Sequence, residues 1–163
     1  MLYKASFDTV VKILTNVIIL FALGLLGLQT FTQWAHTGGW IAVLILLVAI
    51  TLSWGLHPQY YYVSDRSIIV QRPFGKLRIP LENVIHVRPL MGDELGFNRR
   101  RLGAGGLFGY LGYYHSSRIG NYQMWATHRD RLVVIETQKG KYVISPDLPI
   151  HFTNDVNSRR YRR

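Results

Sequence analysis

The chain has 163 residues, of which 48% are apolar, and it contains no cysteine. A chain of this length builds one or two small units, and the lack of cysteine excludes a disulfide framework and thiolate metal ligands. With 19 Lys and Arg against 9 Asp and Glu, the formal net charge is +10. So basic a chain favours an anionic partner, such as lipid headgroups, nucleic acid or an acidic protein, with solubility alone as the other explanation.

Two long apolar stretches lie near the start of the chain, at residues 10–28 and 40–56. Neither contains an acidic residue, and each approaches the roughly 20 residues that a helix needs to cross a bilayer. A signal peptide is disfavoured because no small-residue cleavage site is evident and a second apolar stretch follows at once. A buried hairpin of a water-soluble protein would need a polar face, which both stretches lack. We therefore predict a transmembrane helical hairpin over residues 1–56.

The charge on either side of these stretches predicts their orientation. The connecting residues 29–39 contain no Lys or Arg, whereas residues 57–163 carry 17 Lys and Arg against 8 Asp and Glu. The positive-inside rule then places both termini in the cytoplasm. Tryptophans lie near the ends of the stretches at 34, 40 and 54, where aromatic belts form at membrane interfaces. Trp34, Trp40 and Trp54 are therefore candidate interface anchors.

Past Pro58 the sequence changes to short segments rich in β-branched and aromatic residues, separated by turn residues. Seven strands are predicted: YYYVS (60–64), SIIVQ (67–71), KLRIP (76–80), NVIHVRP (83–89), YQMWAT (122–127), RLVVIET (131–137) and KYVISP (141–146). No helical period separates them, so we predict antiparallel sheets in a sandwich or partly open barrel. A short C-terminal helix follows, with Asp147 as its predicted N-cap. The domain occupies residues 57–163 and ends in a basic tail.

The stretch RLGAGGLFGYLGYYHSSRIG, residues 101–120, combines six glycines with several aromatic residues. It does not contain GxxxxGK followed by Ser or Thr, or GxGxxG between a strand and a helix, so nucleotide binding is disfavoured. Glycine in or beside a strand usually marks a bulge, a corner or a close backbone approach. The aromatic residues, including Phe108 and Tyr110, either cover an open end of the barrel or lie at the membrane interface. The sequence leaves both alternatives open.

The block GGLFGYLGYY, followed by YQMWAT, LVVIET and KYVISPD, resembles the bacterial pleckstrin-homology-like (PH-like) domain family over residues 57–155. This resemblance implies two nearly orthogonal antiparallel sheets capped by a C-terminal helix. Members of the family often carry two membrane spans ahead of the domain. The resemblance thus places the chain in a bacterial cytoplasmic membrane as a multi-pass protein. It implies a fold rather than a function, because the family's biochemical role is largely undefined.

Basic side chains are the candidates for contact with anionic headgroups, because the cytoplasmic leaflet is negatively charged. They are Arg72, Lys76, Arg78, Arg99, Arg100 and Arg101. The alternative for the last three is a solvated loop. Eukaryotic PH domains bind phosphoinositides with basic residues around their first hairpin. Here that hairpin has the two-residue turn Asp65–Arg66, and the family's basic motif is not matched.

No residue pattern predicts catalysis, a metal or a cofactor. The six histidines show no His-x-x-x-His spacing and no GxSxG motif is present. The predicted function is a non-enzymatic module that binds protein partners or anionic lipid headgroups, with self-association left open. The alternative is an enzyme or enzyme subunit acting on a lipid or envelope substrate, with His115 or His128 in a pocket beside the aromatic block. Nucleic-acid binding is not predicted, because no recognition motif is visible.

Overall fold

The computed structural model describes residues 1–31, 37–91, 94–95 and 98–161, and within these ranges the side chains of 29–31, 37–38, 98–101, 104 and 161 are not described. The described residues form three α-helices and ten strands. The helices are α1 (Thr9–Phe31), α2 (Thr37–Leu56) and α3 (Pro149–Tyr161).

Helices α1 and α2 are long and apolar enough to span a membrane, over Thr9–Leu28 and Gly39–Leu56. Only 17% of the apolar segment in α1 and 11% of the apolar segment in α2 is buried within the protein. A core helix of a water-soluble protein buries one apolar face, whereas these helices present apolar side chains outward on most sides. So large an exposed apolar surface points to membrane association.

Four strands form an antiparallel sheet in the order β1 (Leu2–Lys4), β2 (Tyr60–Val63), β3 (Ser67–Gln71) and β4 (Lys76–Pro80). The predicted meander over residues 60–80 is confirmed. Strand β1 precedes α1 along the chain, yet it pairs with β2, which follows α2, and Tyr3 lies opposite Tyr61. The predicted division of the chain between residues 56 and 57 therefore omits one strand of the domain.

Six strands form the second sheet: β5 (Val84–Leu90), β6 (Asn98–Gly105), β7 (Tyr110–Ser116), β8 (Gly120–Ala126), β9 (Leu132–Thr137) and β10 (Gly140–Ile144). Their order is β5-β9-β10-β8-β7-β6. The predicted count of seven missed β1 and the hairpin β6–β7. The prediction of purely antiparallel sheets fails for one pair, because β8 and β10 are parallel. Strand β10 lies between β9 and β8 in the sheet. It is antiparallel to β9, which precedes it in the chain, and therefore runs in the same direction as β8.

The sandwich and the C-terminal helix are confirmed. One core lies between the two sheets and includes Tyr61, Ile68 and Ile135, together with Phe152 and Val156 of α3. A second cluster covers the other face of the six-stranded sheet; its members include Val11, Tyr110, Tyr114, Tyr122, Met124 and Val134. Val11 belongs to α1, so the start of the first apolar helix is part of the domain's packing.

The predicted N-cap of α3 is wrong. The helix begins at Pro149, and the carbonyl of Leu148 accepts a hydrogen bond from the Phe152 N–H at 3.0 Å. The carboxylate of Asp147 instead accepts hydrogen bonds from the N–H and hydroxyl of Ser6, at 3.2 and 2.6 Å. This contact ties the segment before α1 to the segment before α3.

Candidate membrane-facing site

The start of α1 is fixed to the domain through the buried carboxylate of Asp8. One oxygen accepts a hydrogen bond from the Val11 N–H at 2.7 Å and so caps the helix. The other accepts from the Tyr110 hydroxyl at 3.1 Å. Burial raises the pKa of Tyr110 to about 12, so the hydroxyl stays protonated and remains a donor. Tyr110, a predicted interface candidate, is thus buried in the domain.

The turn between β6 and β7 lies against the first turns of α1. The Phe108 N–H donates to the Thr15 hydroxyl oxygen at 3.1 Å, and a Cβ at Gly106 would overlap the Leu14 side chain. A groove of about 150 Å³ remains at this contact, lined by Phe7, Val11, Lys12, Thr15, Asn16 and Phe108. Lys12 and Asn16 in this groove are exposed. The turn therefore reaches the depth of Thr15, four residues past Val11 along α1.

The glycines of this block serve close packing. Gly103 on β6 and Gly112 on β7 lie opposite each other with φ of 135° and 122°. A Cβ on Gly112 would overlap the Leu102 carbonyl oxygen and lie 2.7 Å from the Gly103 Cα. The two strands can approach this closely only without side chains at both positions. Close backbone approach was one of the three explanations that the sequence offered for these glycines, beside a bulge and a corner.

The turn between β3 and β4 lies against the end of α2. The Phe74 N–H donates to the Gly55 carbonyl at 2.7 Å, and the rings of Phe74 and Trp54 meet edge to face at 6.0 Å between centroids. A Cβ at Gly55 would overlap the Phe74 ring. Trp54 and Phe74 are each 45% exposed, so this aromatic pair faces outward at the end of the apolar helix. Lys76, two residues beyond Phe74, is also exposed.

His57 lies between the β6–β7 turn and the end of α2, and it was not among the site residues predicted from the sequence. Its ring lies 5.5 Å from Phe7 and 6.0 Å from Phe108 between centroids, and its Nδ1 bonds to the Trp54 carbonyl. Burial lowers the pKa of His57 and favours the neutral ring. Its place directly after an apolar helix, before Pro58, was the available signal. His115 is exposed and bonds to Asn121, outside this cluster.

The remaining headgroup candidates are spread over the domain. The Arg72 guanidinium lies 4.7 Å above the Trp125 ring, and burial lowers its pKa. Arg78 lies on β4 two residues past Lys76, roughly 7 Å away at the rise of a strand. Residues 99–101 lie on the edge strand β6, but the side chains of Arg99, Arg100 and Arg101 lie outside the description. Trp34 also lies outside the described residues, whereas Trp40 is 43% exposed near the start of α2.

The described residues contain no group of three His, Asp or Glu side chains that could hold a metal ion. His128 accepts a hydrogen bond from the Asp130 N–H at 3.2 Å in the turn before β9. The described contacts therefore do not bring His115 or His128 to the aromatic turn at Phe108, the arrangement that the enzymatic alternative requires.

A β-sandwich with a C-terminal helix, joined to two helices long and apolar enough to span a membrane, defines a membrane-associated β domain. A family model described as "Bacterial PH domain" matches residues 59–160, more than half of the chain. The chain belongs to this family, and the predicted resemblance is confirmed. PH-like domains are typically non-enzymatic binding modules. Comparison with curated proteins and with solved structures found no match.

Proposed function

We propose that the chain is a membrane-anchored, non-enzymatic module whose PH-like domain contacts anionic lipid headgroups at the cytoplasmic face of a bacterial inner membrane. The main support is that two turns of the domain with aromatic side chains lie beside the ends of the apolar helices. Phe74 contacts Gly55 of α2, and Phe108 contacts Thr15 of α1. With the helices in a bilayer, both turns lie at the depth of the interface, where aromatic side chains are favourable.

The cations beside these turns support headgroup contact. Lys12 lines the groove at Phe108, and Lys76 follows Phe74 with an exposed side chain. Lys76 also belongs to a cross-strand row with Gln71, Tyr60 and Lys4, all at the end of the four-stranded sheet nearest α2. Each Lys or Arg near an anionic surface contributes about 1 kcal/mol. The excess of basic residues in 57–163 gives the same preference for the cytoplasmic leaflet.

The test measures which lipids surround the full chain in mixed bilayers. Spin-labelled phosphatidylglycerol and phosphatidylcholine report how strongly each lipid associates with the protein. We expect an anionic preference that falls roughly fivefold for each lysine removed in Lys12→Gln and Lys76→Gln, and that weakens at high salt. The matched control is Arg66→Gln, an exposed cation in the β2–β3 turn, at the opposite end of β2 from α2.

The triple variant Arg99→Ala, Arg100→Ala, Arg101→Ala tests the arginines of β6 in the same way. Equal association of the two lipids in the unsubstituted chain would refute headgroup recognition. A protein partner or a second copy of the chain would then be the alternative ligand of the domain. The surface to test first would be the outer face of the four-stranded sheet, where Leu2, Tyr60 and Tyr62 are exposed.

A further inference from the structure

The two sheets of the sandwich differ in width. Strand β4 is the edge of the four-stranded sheet, and Leu77 of this strand packs against the same core as Trp125 of β8 and Tyr142 of β10. Arg72, in the turn that leads into β4, lies above the Trp125 ring. Strand β4 therefore lies over β10 and β8, whereas β7 and β6 continue the six-stranded sheet beyond this edge.

A cross-strand row shows that the inner face of β7 and β6 is open. Leu102, Tyr113, Gln123 and Tyr142 are successive partners across β6, β7, β8 and β10, so their side chains point to one face of the sheet. Tyr142 packs against the core between the sheets, which identifies this face as the inner one. Leu102 is 70% exposed and Tyr113 is 54% exposed. Leu102, Tyr113 and Gln123 form the uncovered row.

The core between the sheets is incomplete along β4. Leu77 points inward, yet it is only half-buried, as are Trp125 and Tyr142. Ile79, the next inward residue of β4, is 2% exposed. Apolar side chains that stay accessible together, rather than singly, are typical of an interaction site. A strand beyond β4 would cover both this margin of the core and the uncovered row.

The backbone of β4 offers hydrogen-bonding groups on the same side. The Arg72 N–H donates to the Gly75 carbonyl at 3.2 Å, so this pair is a hydrogen-bonded one. Bonded and non-bonded pairs alternate along an antiparallel ladder. The N–H and carbonyl of Leu77 therefore point toward β3, and those of Lys76 and Arg78 point away from it. In the described part of the chain, no hydrogen bond reaches these outward groups of Lys76 and Arg78.

Charge indicates what kind of strand fits this edge. Lys76 and Arg78 are exposed, and among the described side chains neither has a carboxylate within 4 Å. The outer-face neighbours of Arg78 along its cross-strand row are Ile69, Tyr62 and Leu2, none of which is acidic. A residue paired with Arg78 on an added strand would project to the same outer face, where opposite charges are favourable. The alternate residues would project over the uncovered row.

We propose that β4 binds an extended segment of a partner protein as an antiparallel fifth strand. The segment carries carboxylates on one face, opposite Arg78, and apolar side chains on the other, over Tyr113. A second copy of the chain fits poorly, because pairing two β4 strands brings Lys76 and Arg78 beside the same cations. Strand β6, the other long edge, contains three arginines and would also oppose like charges.

The membrane gives a second argument against self-pairing. Strand β4 starts beside the turn that contacts α2 and runs away from that helix. Two antiparallel β4 strands would therefore require the helices of the two copies to point in opposite directions, which one bilayer side does not allow. The inference does not rest on the proposed function, which uses Lys12 and Lys76 at the lipid surface.

The probe is a fluorescent, acetylated and amidated hexapeptide of sequence EVEVEV, whose carboxylates and valines alternate as this edge requires. The full chain is held in nanodiscs of phosphatidylcholine, which offer no net-anionic lipid, and binding is followed by fluorescence anisotropy. We expect saturable binding, and binding of KVKVKV that is weaker by roughly tenfold.

Two N-methylated peptides separate strand addition from attraction by charge alone. In the antiparallel pairing proposed, the glutamate N–H groups point to β4 and the valine N–H groups point away. N-methylation of the glutamates should abolish binding, whereas N-methylation of the valines should preserve it. Equal binding of these two peptides, or no saturable binding of EVEVEV up to about 1 mM, would overturn the proposal.

Variants locate the site on the domain. Arg78→Glu should weaken EVEVEV binding roughly tenfold and strengthen KVKVKV binding, and Tyr113→Ala should weaken EVEVEV binding severalfold. The matched control is Lys4→Glu, the same change of charge on β1 at the other edge of the sheet, which should leave the affinity nearly unchanged. The thermal midpoint of each variant shows whether it is folded.

Equal effects of Arg78→Glu and Lys4→Glu would mean that the peptide responds only to net charge, and would refute the assignment to β4. Analytical ultracentrifugation in detergent tests the other occupant. An oligomer of the unsubstituted chain that EVEVEV dissociates would assign the edge to a second copy and would also overturn the proposal.

Discussion

At the residue scale, the glycines between 103 and 112 show how far composition predicts structure. The sequence offered close backbone approach as one explanation of this block, and the Gly103–Gly112 pair is such an approach. The sequence did not predict which glycines lie opposite each other, because this depends on the register between β6 and β7. It also could not show that Phe108, with φ of 55°, contacts Thr15 rather than another part of the domain.

Replacing Gly112 with Ala tests the strand contact. The new Cβ overlaps the Leu102 carbonyl and must hold φ near 122°, so we expect the free energy of unfolding to fall by roughly 2–5 kcal/mol. Gly120→Ala is the matched control. It has φ of 77° but open space around its Cβ, so only the backbone cost of about 1–2 kcal/mol applies. Urea unfolding of the full chain in detergent micelles measures both. Equal losses would mean that the close approach is unimportant.

At the element scale, the sequence predicted most of the strands after Pro58, but it did not predict which strands lie side by side in the sheets. KLRIP alternates between Lys76 and Arg78 on the exposed face and Ile79 in the core, as its pattern predicted. Strand β1 has only three residues and pairs with a partner some 58 positions away, so no local signal reveals it. Strand β6, NRRRLGAG, combines charge with glycine, which strands disfavour. The contacts of Phe74 and His57 likewise depend on elements that meet only in the folded chain.

Strand β1 contributes to stability through Tyr3. Its ring is 8% exposed and meets Phe152 of α3 edge to face at 5.2 Å between centroids. Truncation of a large buried side chain leaves a cavity, so Tyr3→Ala should lower the free energy of unfolding by roughly 3–5 kcal/mol. Leu2 is 64% exposed, and Leu2→Ala should change stability by less than about 0.5 kcal/mol.

Tyr3→Phe isolates the hydroxyl, which donates to the His151 carbonyl at 3.3 Å. Its loss should cost about 0.5–1.5 kcal/mol. Thermal unfolding of the three variants in the same detergent ranks them. A Tyr3→Ala variant as stable as Leu2→Ala would show that β1 is not packed against α3 in solution.

At the scale of the whole molecule, the strand pairing shows which segments of the chain share one side of the membrane, independently of their charge. Strand β1 precedes α1 and strand β2 follows α2, yet the two are hydrogen-bonded neighbours. Asp8 and Ser6 add contacts with Tyr110 and Asp147. With both helices across a bilayer, the residues before α1 and after α2 must therefore lie on the same side. The excess of Lys and Arg in 57–163 predicts which side that is, the cytoplasmic one.

Cysteine labelling separates these two statements, because the chain has no cysteine of its own. Leu2→Cys and Ser158→Cys place thiols at exposed positions before α1 and on α3, and Ala35→Cys places one in the connecting segment. A membrane-impermeant maleimide added to sealed inside-out vesicles should label positions 2 and 158 but not 35. In intact cells the same reagent should label position 35 but not positions 2 and 158. Labelling of 2 and 158 from opposite sides would contradict the β1–β2 pairing. Labelling of both from outside the cell would keep the pairing and overturn only the orientation that charge predicts.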